Sequence, residues 1–349
     1  MWARTGRDSA VLQGEDMGEP VPERSATWRR SAVLPASDTA LGEAARPGEA
    51  RRPGEVSQPG ALAPDLPSSP ESPAATTQAV AAKAAFENFP VALRMLPRTY
   101  RRHLMAVYVF ARTADDLGDQ APAGERLRLL AELEADVRAL YGGGQPALEA
   151  VTGLKHAVVE CEIPMQPFID LIRANQQDQV VRRYETFDDL AGYCRLSANP
   201  VGRIVLYVFG CFSAERAEQS DYICTGLQLA EHWQDVAEDL RAGRIYLPLA
   251  DMAAHGCSEH DLAAAHAAPL VRELMAFEVG RARSLIDTGA PLIGTLGGAA
   301  RAAVAGYVAG GRAALAAIQA ADYDVLAATP RPDKLRTVLE LGRAFARGR

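Results

Sequence analysis

The chain has 349 residues, a formal net charge of −7, 48% hydrophobic residues and only 6% aromatic ones. The acidic balance excludes a general nucleic-acid binder, and no apolar run reaches the roughly 18–20 residues needed to span a bilayer. The cysteines at 161, 194, 211, 224 and 257 form no Cys-x-x-Cys pair, which argues against a zinc site and for a reducing, cytoplasmic setting.

Residues 1–75 are rich in Pro, Gly, Ala, Ser, Arg and Glu and carry little periodic apolar content. They read as a disordered extension, without the basic start and apolar stretch of a secretory signal. From Thr76 the pattern turns helical. Thr76 or Thr77 is placed to cap a helix running through Phe86, and Pro90 and Pro97 then break the chain. A long helix is predicted over 98–119. A turn at 121–124 leads to an amphipathic helix over 125–141, carried by Leu127, Leu130, Leu133, Val137 and Leu140 and stopped by glycines at 142–144. Those glycines follow no strand and precede no Gly-Lys-Ser/Thr, so they do not form a phosphate loop. Further helices are predicted over 146–161, 165–182, 187–197, 200–214 and 219–241. After an extended segment at 245–248, more are predicted over 259–265, 268–288, 297–321 and 331–347. Period-two alternation is too sparse for a sheet. The expected fold is all-α, a single helical domain over 76–349.

Two of these helices carry clustered carboxylates. In the first, Leu104, Tyr108, Arg112, Asp115 and Asp119 recur at three- and four-residue steps and share a face, with Asp116 alongside. In the second, Gln228, Glu231, Asp235, Glu238 and Asp239 do the same. Carboxylates one turn apart repel by roughly 0.2–0.5 kcal/mol per pair even when exposed, and the cost rises on a face that also carries Leu, Tyr and Val. A cation belongs there. Mg²⁺ fits because it takes oxygen ligands and binds through one or two carboxylates, waters and substrate phosphates. Two such helices across one cavity would hold a diphosphate between metal ions. The six histidines are scattered, and His232, the one near the acidic face, is expected to be structural.

Several blocks resemble the squalene/phytoene synthase family. They are Glu87, Asn88, Phe89 and Pro90; Met95, Leu96 and Pro97; Tyr108, Arg112, Asp115, Asp116 and Asp119; Leu227, Gln228, Trp233, Gln234, Asp235, Glu238 and Asp239; and Gly243, Arg244, Tyr246 and Pro248. The resemblance runs from about residue 80 to 340. It implies the isoprenoid synthase fold, a helical bundle around a deep apolar cavity. The Asn88–Phe89–Pro90 block, with Tyr193, Cys194, Arg195, Ser197, Asn199, Pro200 and Gly202, is similar to the bacterial hopanoid-pathway branch, the hydroxysqualene synthases.

The resemblance implies conversion of presqualene diphosphate to hydroxysqualene by loss of diphosphate, rearrangement of the carbocation and quenching by water. It implies Asp115, Asp119, Asp235 and Asp239 as catalytic metal ligands for two or three Mg²⁺ ions, with Glu238 and Glu231 as additional ligands. Arg112, Asp116, Arg244, Tyr246, Asn199, Gln228 and Phe89 fall to substrate binding, and Tyr108 and Tyr193 to catalysis beside the cation. NADPH is not expected. Two positions depart from the family pattern: Glu231 stands where many members carry Asn, and Gln234 where related enzymes often carry Arg. The missing arginine favours a one-substrate rearrangement. The rival readings are condensation of two farnesyl diphosphates or of two geranylgeranyl diphosphates, and a non-catalytic member acting as an assembly factor, for which intact acidic clusters would be unexpected. A cytoplasmic protein with peripheral contact at the inner membrane face, taking substrate from a presqualene diphosphate synthase, completes the expectation.

Overall fold

A computed structural model describes residues 96–332 and 334–347. The extension at 1–75, the helix expected from Thr76 and the site candidate Phe89 lie outside the described residues. The chain enters α1 (Arg98–Asp119) directly after Pro97. It continues through α2 (Arg126–Tyr141), α3 (Glu149–Glu160) and α4 (Gln166–Gln177). These four pack around Leu104, Phe110, Leu130, Leu133, Leu154, Phe168 and Ile172, all essentially inaccessible to solvent. Phe110 meets Phe168 edge to face, with ring centroids 5.2 Å apart at 85°, the arrangement that aromatic quadrupoles favour.

A capping box formed by Thr186 and Asp189 starts α5 (Phe187–Ser197), and α6 (Asn199–Val208) follows almost without a break. Then come α7 (Ala214–Gln234), α8 (Val236–Arg241), α9 (Leu249–Ala254), α10 (Glu259–Leu262), α11 (Pro269–Gly289), α12 (Leu292–Thr295), α13 (Gly298–Ala320) and α14 (Lys334–Arg347). A second packed region gathers Leu229, Trp233, Leu274, Met275, Ile286, Leu315 and Ile318 from α7, α11 and α13. The buried Trp233 Nε1–H donates to the Glu278 carbonyl at 3.2 Å, tying α7 to α11.

Among the described residues there is no β-strand, and the fold is all-α as expected. Several boundaries moved. The helix expected over 200–214 ends at Val208 because Gly210 adopts φ +64° and Ser213 caps the next helix, accepting from the Arg216 N–H. The helix expected over 165–182 stops at Gln177. Its continuation runs out beside 245–250, where the N–H groups of Ile245, Leu249 and Ala250 donate to the carbonyls of Arg182, Tyr184 and Glu185. The helix expected over 219–241 is interrupted at Asp235, which has φ −104° and ψ 14°. No described helix is long and apolar enough to cross a membrane.

Candidate active site

Asp115 and Asp119 sit one turn apart at the end of α1, with the buried Gly118 between them. A Cβ at 118 would come within 2.6 Å of Asn175 Oδ1 on α4. Glycine leaves room for two contacts that join the helices. Asn175 Nδ2 donates to Asp115 Oδ1 at 3.1 Å, and Gln179 Nε2 donates to the Gly118 carbonyl at 3.0 Å. One residue before Gln179, the buried Asp178 accepts from Tyr193 Oη at 2.7 Å and Tyr246 Oη at 3.3 Å. Tyr184 stacks on Tyr246 at 5.8 Å, and His232 stacks on its ring at 3.7 Å. The tyrosines from α5 and from the segment after α8 thus hang on a single carboxylate.

The second cluster forms where α7 gives way to α8. The amides of Glu238 and Asp239 both bond the Asp235 carbonyl, at 2.8 Å each, so the interruption keeps Asp235 and Asp239 together. Repulsion among Glu231, Asp235, Glu238 and Asp239 opposes an unbroken helix here, and the Gln234 side chain is drawn away to the Pro330 carbonyl. Gly243, at φ +80°, then closes α8. Its N–H bonds the Leu240 carbonyl, and the Arg244 N–H bonds the Asp239 carbonyl, a Schellman ending that only a left-handed residue allows. It turns Arg244 back so that Nη2 lies 2.6 Å from Asp119 Oδ1. Arg244 thereby links the two acidic clusters, its N–H on the Asp239 carbonyl and its guanidinium on Asp119.

The electrostatics show how little of the negative charge is offset. Asp115 opens onto solvent, yet protein crowds it on the other sides. That burial, with Asp119 and Asp116 adding to it, outweighs Asn175 and Arg112 and raises its pKa to about 6. Burial and the neighbouring Asp235 push Asp239 up to about 7 despite Arg244. Burial and Glu238 also raise Asp235. Asp178 is lifted to about 6, mainly by burial. His232 moves the opposite way, to about 3, because burial and Arg244 disfavour its charged form, so it brings no cation to the site. Carboxylates held in this state from facing helices, with oxygen donors only, suit a hard divalent ion such as Mg²⁺.

The remaining site candidates divide. Arg112 pairs with Asp116 at 2.9 Å. Glu238 is exposed and accepts from Thr329 Oγ1 at 3.2 Å. Gln228 and Glu231 line a cavity of about 290 Å³. Gln228 Nε2 also lies 3.3 Å from His232 Nε2. Tyr108 is half-buried on α1, two turns before Asp115. Asn199 stands apart. Buried at the start of α6, it accepts from Thr225 Oγ1 at 3.0 Å and does not reach the cavity lining.

The cavity runs from the acidic face between α5, α6, α7 and α13. Val201, Val205, Leu206, Ile223, Leu227 and Val304 form most of its wall. Sequence reasoning did not single out Asn175, Asp178 or Gln179. Their signal is a polar run at three- and four-residue steps at the end of an otherwise apolar helix.

Comparison with known proteins agrees with this geometry. The squalene/phytoene synthase family model matches residues 82–339. A hydroxysqualene synthase from Sinorhizobium fredii is 37% identical over 210 residues, which is 59% of this chain and 70% of that protein. A phytoene synthase from Arthrospira platensis is 33% identical over 211 residues, 56% of this chain and 68% of that protein. The crystal structure of the squalene synthase HpnC from Alicyclobacillus acidocaldarius superposes with a TM-score of 0.66 at 39% identity, covering 73% of this chain and 97% of the other. The chain is an enzyme of the isoprenoid synthase type that acts on prenyl diphosphates, and it belongs to the squalene/phytoene synthase family, in the branch that holds the hydroxysqualene synthases.

Proposed function

We propose that the protein converts presqualene diphosphate to hydroxysqualene. The observation that carries this reading is the convergence of two acidic clusters at Arg244, next to an apolar cavity whose lining includes Gln228 and Glu231. Asp115, Asp119, Asp235 and Asp239 would hold Mg²⁺, which supplies charge neutralisation for the departing diphosphate. Arg244 is a fixed cation on a closed turn and Arg112 lies a turn before Asp116, so both are placed to take phosphate oxygens when substrate displaces their carboxylate partners. Asp178 holds the hydroxyls of Tyr193 and Tyr246 and so sets the faces that these rings offer to a carbocation. The aliphatic wall keeps stray water from the cation. Ser197 Oγ is buried at the cavity with no hydrogen-bond partner among the described residues, which gives one water a place to be held. The water's oxygen bonds the rearranged carbon, and one of its protons passes to the departed diphosphate.

A second reading, condensation of two prenyl diphosphates, is favoured by the similarity to phytoene synthase. One experiment separates the two. The full-length protein is incubated with Mg²⁺ and either presqualene diphosphate or farnesyl diphosphate, with and without NADPH, and the products are identified. Hydroxysqualene from presqualene diphosphate without NADPH is expected. Presqualene diphosphate formed from farnesyl diphosphate would replace the first reading with the second. Asp115→Asn and Asp235→Asn are each expected to abolish turnover, and activity retained in either removes that residue from the mechanism.

A further inference from the structure

At the opposite end of α1 from the aspartates, three side chains with metal-ligand chemistry converge. His103 comes from α1, and His156 and Glu160 lie one turn apart on α3. Their ligand atoms all fall within 4.8 Å of one another. His103 Nε2 is 2.9 Å from Glu160 Oε2, and His156 Nε2 is 3.0 Å from Glu160 Oε1. Cysteine spacing does not bear on a set built from imidazole and carboxylate.

The position of Arg102 is the second observation. Its Nη2 lies 3.4 Å from His103 Nε2 and 3.2 Å from Glu160 Oε2, and it contacts His156 Nε2 as well. A single cationic nitrogen thus sits where all three donors point. The Arg102 side chain is 59% exposed, so it can swing into solvent and leave that point free. Behind the site, His103 Nδ1 lies 2.8 Å from Cys161 Sγ, which holds the buried ring with Nε2 facing the other donors. Such backing contacts orient metal-binding imidazoles.

We propose that His103, His156 and Glu160 bind a divalent transition-metal ion of the Zn²⁺ class, which displaces the Arg102 guanidinium and ties α1 to α3. Three protein ligands of the His₂Glu type, with a water in the fourth position, are an established Zn²⁺ set. Bonds of about 2.0–2.2 Å in tetrahedral geometry put donors roughly 3.3–3.5 Å apart. The His103–Glu160 and His156–Glu160 pairs need therefore separate by only a few tenths of an ångström, and His156 and Glu160 are exposed and can move to bring all three donors, which lie within 4.8 Å of one another, to that spacing. Asp115 is twelve residues further along α1 than His103, about 18 Å at the rise of an α-helix, so this ion is separate from any that the catalytic carboxylates hold.

The test is titration of the full-length protein with Co²⁺ in the presence of excess Mg²⁺, followed by displacement with Zn²⁺. One Co²⁺ per chain is expected, with the intense visible bands of a four- or five-coordinate nitrogen–oxygen site. His156→Ala and Glu160→Gln, both at exposed positions, should each weaken binding tenfold or more. Arg102→Ala should tighten it, because a competing cation is removed. Failure of those bands to form, or binding unchanged by both His156→Ala and Glu160→Gln, would overturn the proposal. So would an Arg102→Ala protein that binds more weakly.

Discussion

Gly118 has no space for a side chain, and the reason lies in the site. A methyl group there would displace Asn175 Oδ1 and with it the amide that donates to Asp115. Asn175 is the end of a side chain and can rotate away, so Gly118→Ala should fold. Its expected cost is in activity: a fall in turnover at little change in thermal midpoint, measured by steady-state kinetics beside a melting curve. An equal loss in both would make Gly118 a packing residue only. At this scale the acidic repeats were legible because carboxylates one turn apart on an apolar face are unfavourable without a cation. Asp178 was not. It is a lone carboxylate at a helix end, and its importance comes from Tyr193 and Tyr246, which reach it from fifteen and sixty-eight positions away in sequence. No local pattern encodes that convergence. Asn199 shows the converse, because a family position suggested substrate while the fold gave it Thr225.

Between elements, α7 and α11 approach at glycines. A Cβ at Gly289 would lie 2.4 Å from the Gln219 carbonyl, and one at Gly226 2.9 Å from the Ala282 carbonyl. Backbone cannot rotate aside as Asn175 can. Gly289→Ala should therefore cost on the order of 1–3 kcal/mol through overpacking, outweighing the gain in helix propensity, and a denaturant midpoint unchanged from the parent would refute this. Within α11 lies a pH-dependent contact. Glu278 is fully buried on α11, paired with Arg281 at 3.1 Å. Burial, against Arg281 and reinforced by Asp251, raises its pKa from 4.5 to about 8. The folded state then holds a proton that the unfolded chain releases. Stability should fall as pH rises from near 4.5 to near 8 and level off above, by up to about 1.4 kcal/mol per pH unit. Glu278→Gln should flatten that slope in urea titrations across the window, and an unchanged slope would exclude Glu278 as its source. The helices themselves were legible from apolar periodicity, α1 to within a residue, whereas the break at Asp235 was not. Periodicity continues across it, and what interrupts it is charge repulsion together with a contact from Gln234 to Pro330, far along the chain.

Across the described residues, the two packed regions each contribute one wall of the acidic cleft, α1 and α4 from the first and α7 and α8 from the second. Arg244 joins the acidic clusters, its guanidinium on Asp119 and its N–H on the Asp239 carbonyl. Most of the repulsion across the cleft is therefore carried by the fold as a cost of keeping the site ready. An ion that bridges the walls should relieve that cost and bind the folded state alone. Mass action then gives about 2.7 kcal/mol at a hundredfold excess over Kd. At about 2–4 °C per kcal/mol for a domain of this size, Mg²⁺ with inorganic diphosphate should raise the thermal midpoint by roughly 5–10 °C. EDTA should reverse the rise. Asp239→Asn removes one of the repelling carboxylates, so without metal it should melt above the parent protein, while its response to Mg²⁺ and diphosphate should largely vanish. A variant that melts lower without metal would show that Asp239 is not repelled, and one that keeps the full response would show that it is not a ligand. The latter would leave the second acidic wall to Asp235.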